Sequence, residues 1–186
     1  MRAWHFVGST LRDGAPIPAD GELLRFSGEP ILCQQGFHAS LTPFDALQYA
    51  PRSTLCLVEV GGTILRGDDK VAATERTIVC RMDATEMLLC YARMQALSVI
   101  HHYPNGTDDA VFDYLMTGDE SLRTAARAAA EDAARAAARA GAWAAAEDAA
   151  AAAAAAWAGA EDAAEDAAAA RAEFNALVYK CFGVEA

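Results

Sequence analysis

An α+β fold, a small and mostly antiparallel β domain with helices followed by an alanine-rich all-helical tail, is the class this 186-residue sequence predicts. Three observations predict it. Short β-branched and apolar runs alternate with Gly, Pro and Asp turn signals as far as Gly118. The connections between those runs are too short for crossover helices, which favours antiparallel pairing. From Asp119 onward alanine, the strongest helix former, dominates the composition. Residues 1–118 are therefore expected to form an α+β ligand-binding domain, and 119–186 a helical segment that makes a hairpin or oligomerises.

The individual elements follow from local chemistry. Ala3 to Val7 has the apolar content of a short strand, and Gly8 to Pro18 carries the turn residues of a long surface loop. Leu23 to Phe26 and Ile31 to Cys33 are short strand candidates separated by Gly28 and Pro30. Thr42, Pro43, Phe44 and Asp45 have the form of a helix start, with a hydroxyl N-cap, proline in the first position and an acid in the first turn. That helix should run to about Ala50 and stop before Pro51. Thr54 to Val60 is the clearest strand, and Gly61 and Gly62 are expected to turn it into an antiparallel partner over Thr63 to Arg66. A second turn at Gly67 to Asp69 leads to a strand around Thr74 to Met82.

Asp83 to Glu86 repeats a capping form, and Met87 to Ile100 is apolar on most sides, as a buried helix would be. Thr107 is placed to cap a shorter helix over Asp108 to Met116, closed by Gly118. The tail should be helical with breaks at Gly141 and Gly159. Its bases (Arg123, Arg127, Arg135, Arg139) precede Gly141, and acids from Glu147 to Asp166 follow it. That segregation favours a hairpin near Gly141, or two chains paired antiparallel. Phe174, Leu177, Val178, Tyr179 and Phe182 form a more varied apolar end able to dock on the first domain.

A net charge of -11 argues against nucleic acid as a partner, because phosphate neutralisation requires clustered Lys and Arg. An anionic membrane surface is disfavoured on the same ground. No run reaches the roughly 20 apolar residues a bilayer needs. Met1 to His5 does not open a secretory leader. Cys33, Cys56, Cys80, Cys90 and Cys181 include no C-x-x-C pair, so they read as reduced thiols of a cytoplasmic protein.

The chemistry concentrates around Gly36, Phe37, His38, Ala39 and Ser40, followed by Ala46, Leu47, Gln48 and Tyr49. His38 at a strand end and Tyr49 on the next helix, eleven residues later, are placed to sandwich a flat heterocycle. His5 on the first strand adds a hydrogen bond from the wall, Ser40 a hydroxyl, and Glu75 a carboxylate at the mouth. Glu75 beside Arg76 reads equally as an exposed ion pair. Cys33 is a nucleophile candidate if His38 serves as its base. No metal site is expected: adjacent His101 and His102 diverge, and Asp68 to Lys70 has too few acids for a calcium loop.

This combination of His5, His38, Tyr49 and Glu75 resembles the ADP-ribosyltransferase superfamily of the histidine, tyrosine, glutamate type, over residues 5 to 82. The resemblance implies an ADP-ribosyltransferase-like fold in which the histidine holds a ribose, two rings bracket nicotinamide, and Glu75, if the protein is an enzyme, is the catalytic carboxylate. His38 stands where that family usually has tyrosine, and Ala73 where arginine-modifying members carry Glu or Gln. The W-H-F start at Trp4, the Cys33 to Ser40 motif and Asp45 to Pro51, followed by alanine-rich helices, also resemble a family of phage and prophage-associated proteins.

Taken with these resemblances, the expected function is binding or sequestering a nucleotide signal, an NAD or ADP-ribose derivative, with an anti-defence role and no resident cofactor. The helical tail would assemble a homo-oligomer. Two alternatives stand beside it: an active transferase or NAD glycohydrolase using Glu75, and an interaction module acting through the tail.

Overall fold

A computed structural model describes residues 1–11, 14–98, 100, 109–133, 135 and 149–185, with the backbone alone for 149–164. The chain divides into two compact units, Met1–Leu88 with Arg171–Ala186, and Leu89–Ala170. The first is α+β.

Five strands make its sheet: β1 (Arg2–Val7), β2 (Leu23–Arg25), β3 (Phe37–Ser40), β4 (Thr54–Arg66) and β5 (Lys70–Asp83). All of their pairings are antiparallel. β4 pairs with β1 and β5, and β3 joins β5 to β1, so these four strands close into a ring, with β2 on the flank of β5. The ring encloses an apolar cluster of Ala3, Val7, Ala39, Val58, Val60, Val71, Ala73 and Ile78. Opposed residues of an antiparallel pair share a face, which is why Val58 across from Ile78 and Ala3 across from Val58 all point into it.

The glycine pair behaves differently from the sequence expectation. Gly61 and Gly62 do not turn the chain; β4 continues through them to Arg66, and the hairpin closes at Gly67, whose N–H donates to Lys70 O at 2.8 Å. The pair instead forms a bulge, where the register shifts between Gly61 and Ile64. Gly62 has φ +68°, and a Cβ there would lie 2.1 Å from Thr74 Oγ1, so only glycine fits. Ile31 to Cys33 is likewise not a strand but part of a tight turn bridged between Ile31 and Gln35.

Helix α1 (Pro43–Leu47) starts as the sequence demands, with Thr42 Oγ1 accepting from Asp45 N at 3.2 Å. It ends earlier than Ala50. Helix α2 (Thr85–Ser98) buries only Tyr91 among its residues and leaves Leu89 and Met94 exposed, so it is not the buried helix its composition suggested. In the second unit α3 (Asp109–Thr117) closes at Gly118, whose N–H donates to Tyr114 O at 2.8 Å. A 3-10 turn over Glu120–Leu122 leads into α4 (123–133). Helix α5 (Ala149–Phe182) runs straight through Gly159, because one glycine costs about 1 kcal/mol against the propensity of the surrounding alanines. The expected turn at Gly141 lies outside the described residues, as do Arg139, Glu147 and Asp148.

The last turns of α5 belong to the first unit. Phe174 and Val178 are fully buried, and Phe174 meets Phe44 edge-on at 5.8 Å. Trp4 packs against Tyr179 and Phe182, with ring centroids 5.7 and 5.0 Å away. Phe44 N donates to Asn175 Oδ1 at 2.8 Å, and Arg171 lies 3.5 Å from the buried Asp45 carboxylate. One side of the β ring is thus sealed by α1 and the end of α5, so any ligand must enter elsewhere. Phe174→Ala should lower unfolding stability in urea by about 3–5 kcal/mol; a loss below about 1 kcal/mol would show that this helix end is not part of the core.

Candidate ligand-binding site

The ring of strands is incompletely zipped. β1 and β3 meet at Trp4 and Ser40 and splay apart beyond that pair. His5, Phe6, Val7 and Gly8 line one lip of the gap, and Gly36 to Ala39 the other. The resulting cavity has a volume of about 910 Å³, large enough for a dinucleotide-sized ligand. Thr10, Leu11 and Ile17 of the loop after β1 form part of its rim. That loop is pinned by Arg81, which donates to Pro18 O and Asp20 Oδ1, each at 2.6 Å.

At the cavity wall lies Arg76. It is 4% exposed, sits across from Val60, and therefore faces the interior of the ring. Its Nη1 donates to His38 O at 3.1 Å and its guanidinium lies 5.2 Å from the centre of the Phe37 ring, while Nε has no hydrogen-bond partner among the described residues. Among the described residues no carboxylate pairs with it, and burial pulls its pKa down to about 10. No Asp or Glu is found among the described residues lining the cavity. In a chain of net charge -11 that is an acid-free, cation-bearing hollow.

The structure gathers four of the five expected site residues and separates the fifth. His5 is held neutral: burial first, then the charge of Arg76 and the proximity of His38, lower its pKa from 6.5 to about 3. His38 accepts from Cys33 N at Nε2 (2.9 Å), which leaves its ring hydrogen on Nδ1 when neutral. Ser40 is buried at the point where β1 and β3 meet. Tyr49 is 49% exposed at the rim; its hydroxyl donates to Asp69 Oδ2 at 2.5 Å and accepts from Lys70 Nζ at 2.7 Å. The Lys70 ammonium lies 4.2 Å from the centre of the Tyr49 ring, at its hydroxyl end.

Glu75 is not in the cavity. The bulge puts it across from Gly61 and Arg25, away from the interior, where Oε1 accepts from Arg25 Nε at 3.2 Å. The expected carboxylate at the mouth is therefore absent from that position. Nor are Glu75 and Arg76 an exposed pair, since Arg76 is buried and Glu75 bonds Arg25 instead. Arg76 itself escaped the sequence reading. The available signal was its spacing of two from Ile78, an unmistakable core residue.

Residues 1–90 match the family model DUF7666, a domain of unknown function. No curated protein and no solved structure matches the chain. The DUF7666 stretch contains every described residue lining the cavity, from Trp4 to Arg76, and stops within α2. It does not include Phe174, which packs on Phe44, or Tyr179 and Phe182, which pack on Trp4.

His5 gives the site a pH signature. Because the folded state resists protonating this imidazole, the unfolded chain takes up the extra proton as pH falls below 6.5, and stability drops until about 3. The slope approaches about 1.4 kcal/mol per pH unit for one proton. His5→Gln should flatten the upper part of that decline, above the carboxylate range, in urea titrations; an unchanged slope would place the titrating group elsewhere.

Proposed function

We propose that the cavity between β1 and β3 binds a small anionic, ring-bearing ligand of the nucleotide class without turning it over. The observation that carries this reading is Arg76, a buried cation with no counter-charge among the described residues, facing a cavity without acids. Desolvating such a group costs on the order of several kcal/mol unless an anion is supplied. A ligand phosphate or carboxylate would supply it. Phe37, His5 and His38 provide ring surfaces and hydrogen-bonding edges around that anchor, which suits a heterocycle attached to the anion.

Binding is favoured over catalysis because Glu75, the carboxylate a ribosyl transition state would need, bonds Arg25 outside the cavity. The ADP-ribosyltransferase likeness, carried by Gly36 to Ser40 and Asp45 to Tyr49, supports NAD or an ADP-ribose derivative as the first ligands to try. The phage-type layout of the same motifs supports sequestration of a nucleotide signal as an anti-defence device. A second reading, an interaction module that assembles homo-oligomers through its helices, is supported by Phe112 and Met116 of α3, exposed by 44% and 60%.

A thermal-shift screen against NAD, ADP-ribose and cyclic nucleotides, with product analysis, tests the proposal. At 100 times Kd a bound ligand should stabilise the fold by about 2.7 kcal/mol. Arg76→Met should abolish that stabilisation while leaving the ligand-free protein at least as stable, because an uncompensated buried charge is replaced by an apolar chain. Glu75→Gln should bind as the parent does. NAD consumption lost in Glu75→Gln would instead establish the enzyme.

A further inference from the structure

Cys33 stands at the rim of the same cavity in an unusual setting. It sits in the turn that Ile31 and Gln35 close with an N–H to carbonyl bond of 2.9 Å. Its φ of 64° is in the left-handed region, and it is the non-glycine residue with that conformation among those described. Such a conformation is strained for a residue with a side chain and persists only where its surroundings fix it. Here the fixing bond is its own N–H to His38 Nε2. The consequence is an exposed thiol presented at the cavity edge.

Lys70 lines the same cavity, its ammonium 2.7 Å from Tyr49 Oη and 3.9 Å from the Asp69 carboxylate. Thiol–disulfide exchange proceeds through the thiolate, and cations at the rim of a cavity raise the local concentration of an acidic disulfide. Cys90 and Cys181 are also exposed but lie outside the cavity lining. The buried, unpartnered Nε of Arg76 is an independent sign that what enters here carries a negative charge.

We propose that Cys33 is a modification site which accepts a carboxylate-bearing small thiol as a mixed disulfide, with the acid drawn toward the cations of the cavity. The co-reactant is the disulfide form of that thiol. Cys33 loses its proton to solvent, and the thiolate attacks one sulfur of the disulfide. A new bond forms from Cys33 Sγ to that sulfur as the old S–S bond breaks. The departing sulfur leaves with the electron pair as a thiolate, so Cys33 is oxidised and one sulfur of the small disulfide is reduced. The adduct would occupy the rim and obstruct ligand entry. This inference rests on the anion-accepting cavity and does not need the ligand to be a nucleotide.

The test uses the reduced full chain with three probes at equal concentration: oxidised glutathione, which is acidic, cystamine, which is cationic, and neutral 2-hydroxyethyl disulfide. Peptide mass spectrometry follows adducts on Cys33, Cys90 and Cys181. Oxidised glutathione should modify Cys33 about tenfold faster than either other thiol, an advantage lost with cystamine and reduced several-fold in Lys70→Met. Equal rates at the three thiols, or cystamine outpacing glutathione at Cys33, would overturn it. The second result is what the overall charge of -11 alone would produce. A nucleotide screen without hits beside a selective Cys33 adduct would remove the nucleotide reading and leave this one standing.

Discussion

The organising constraint of this unit is the burial of one guanidinium. Arg76 occupies a position in β5 that packing would give to an aliphatic residue, between Ala73 and Ile78 and across from Val60. A charge so placed must find donors and acceptors nearby or destabilise the fold, and the neighbourhood answers in part: the His38 carbonyl takes one N–H and the Phe37 ring covers the cation. What it does not supply, among the described residues, is an acid. Burial first, and then this cation, keep His5 neutral, so the wall of the cavity combines one fixed charge with an uncharged imidazole.

That arrangement depends on backbone geometry two residues away. Counting inward positions forward from Val71 and Ala73 makes Glu75 a core-facing residue; counting back from Ile78 selects Arg76 instead. Both counts cannot hold along one regular strand. The bulge at Gly61 and Gly62 resolves the conflict by shifting the register, so that Thr74 meets Gly62 and Glu75 lies over Gly61. A one-residue slip exchanges an acid for a base in the cavity wall and reverses the sign of the ligand it suits.

This is also where the sequence was hardest to read. The strands, the Thr42 cap and the helical tail are legible because they rest on local chemistry: β-branched runs, a hydroxyl before Pro43, alanine propensity. The rings were legible too, since His38, Tyr49, His5 and Ser40 lie near one another through a short strand-turn-helix segment and its neighbour. Glu75 and Arg76 were not, because their facing is decided by a partner strand's glycines rather than by their own neighbours. The same holds for α2, whose apolar composition says nothing about how few of its residues are covered. Phe174 and Tyr179 are a long-range case: only the fold brings residues so distant in sequence against Phe44 and Trp4.

Charge distribution ties these features together. An excess of eleven negative charges creates a field that repels anions from most of the surface, so an anion-binding hollow works only if acids are excluded locally and cations are close. Both conditions hold at the cavity. Arg76 is desolvated at its wall, where its field is least screened, and Lys70 stands at the rim, held by Tyr49 and Asp69. Asp69 faces Lys70 and Tyr49 and is absent from the described lining of the cavity, so its charge is spent on orienting the lysine. The described acids, Glu75 included, are thus absent from the lining of the cavity, and the charge at its wall is that of Arg76.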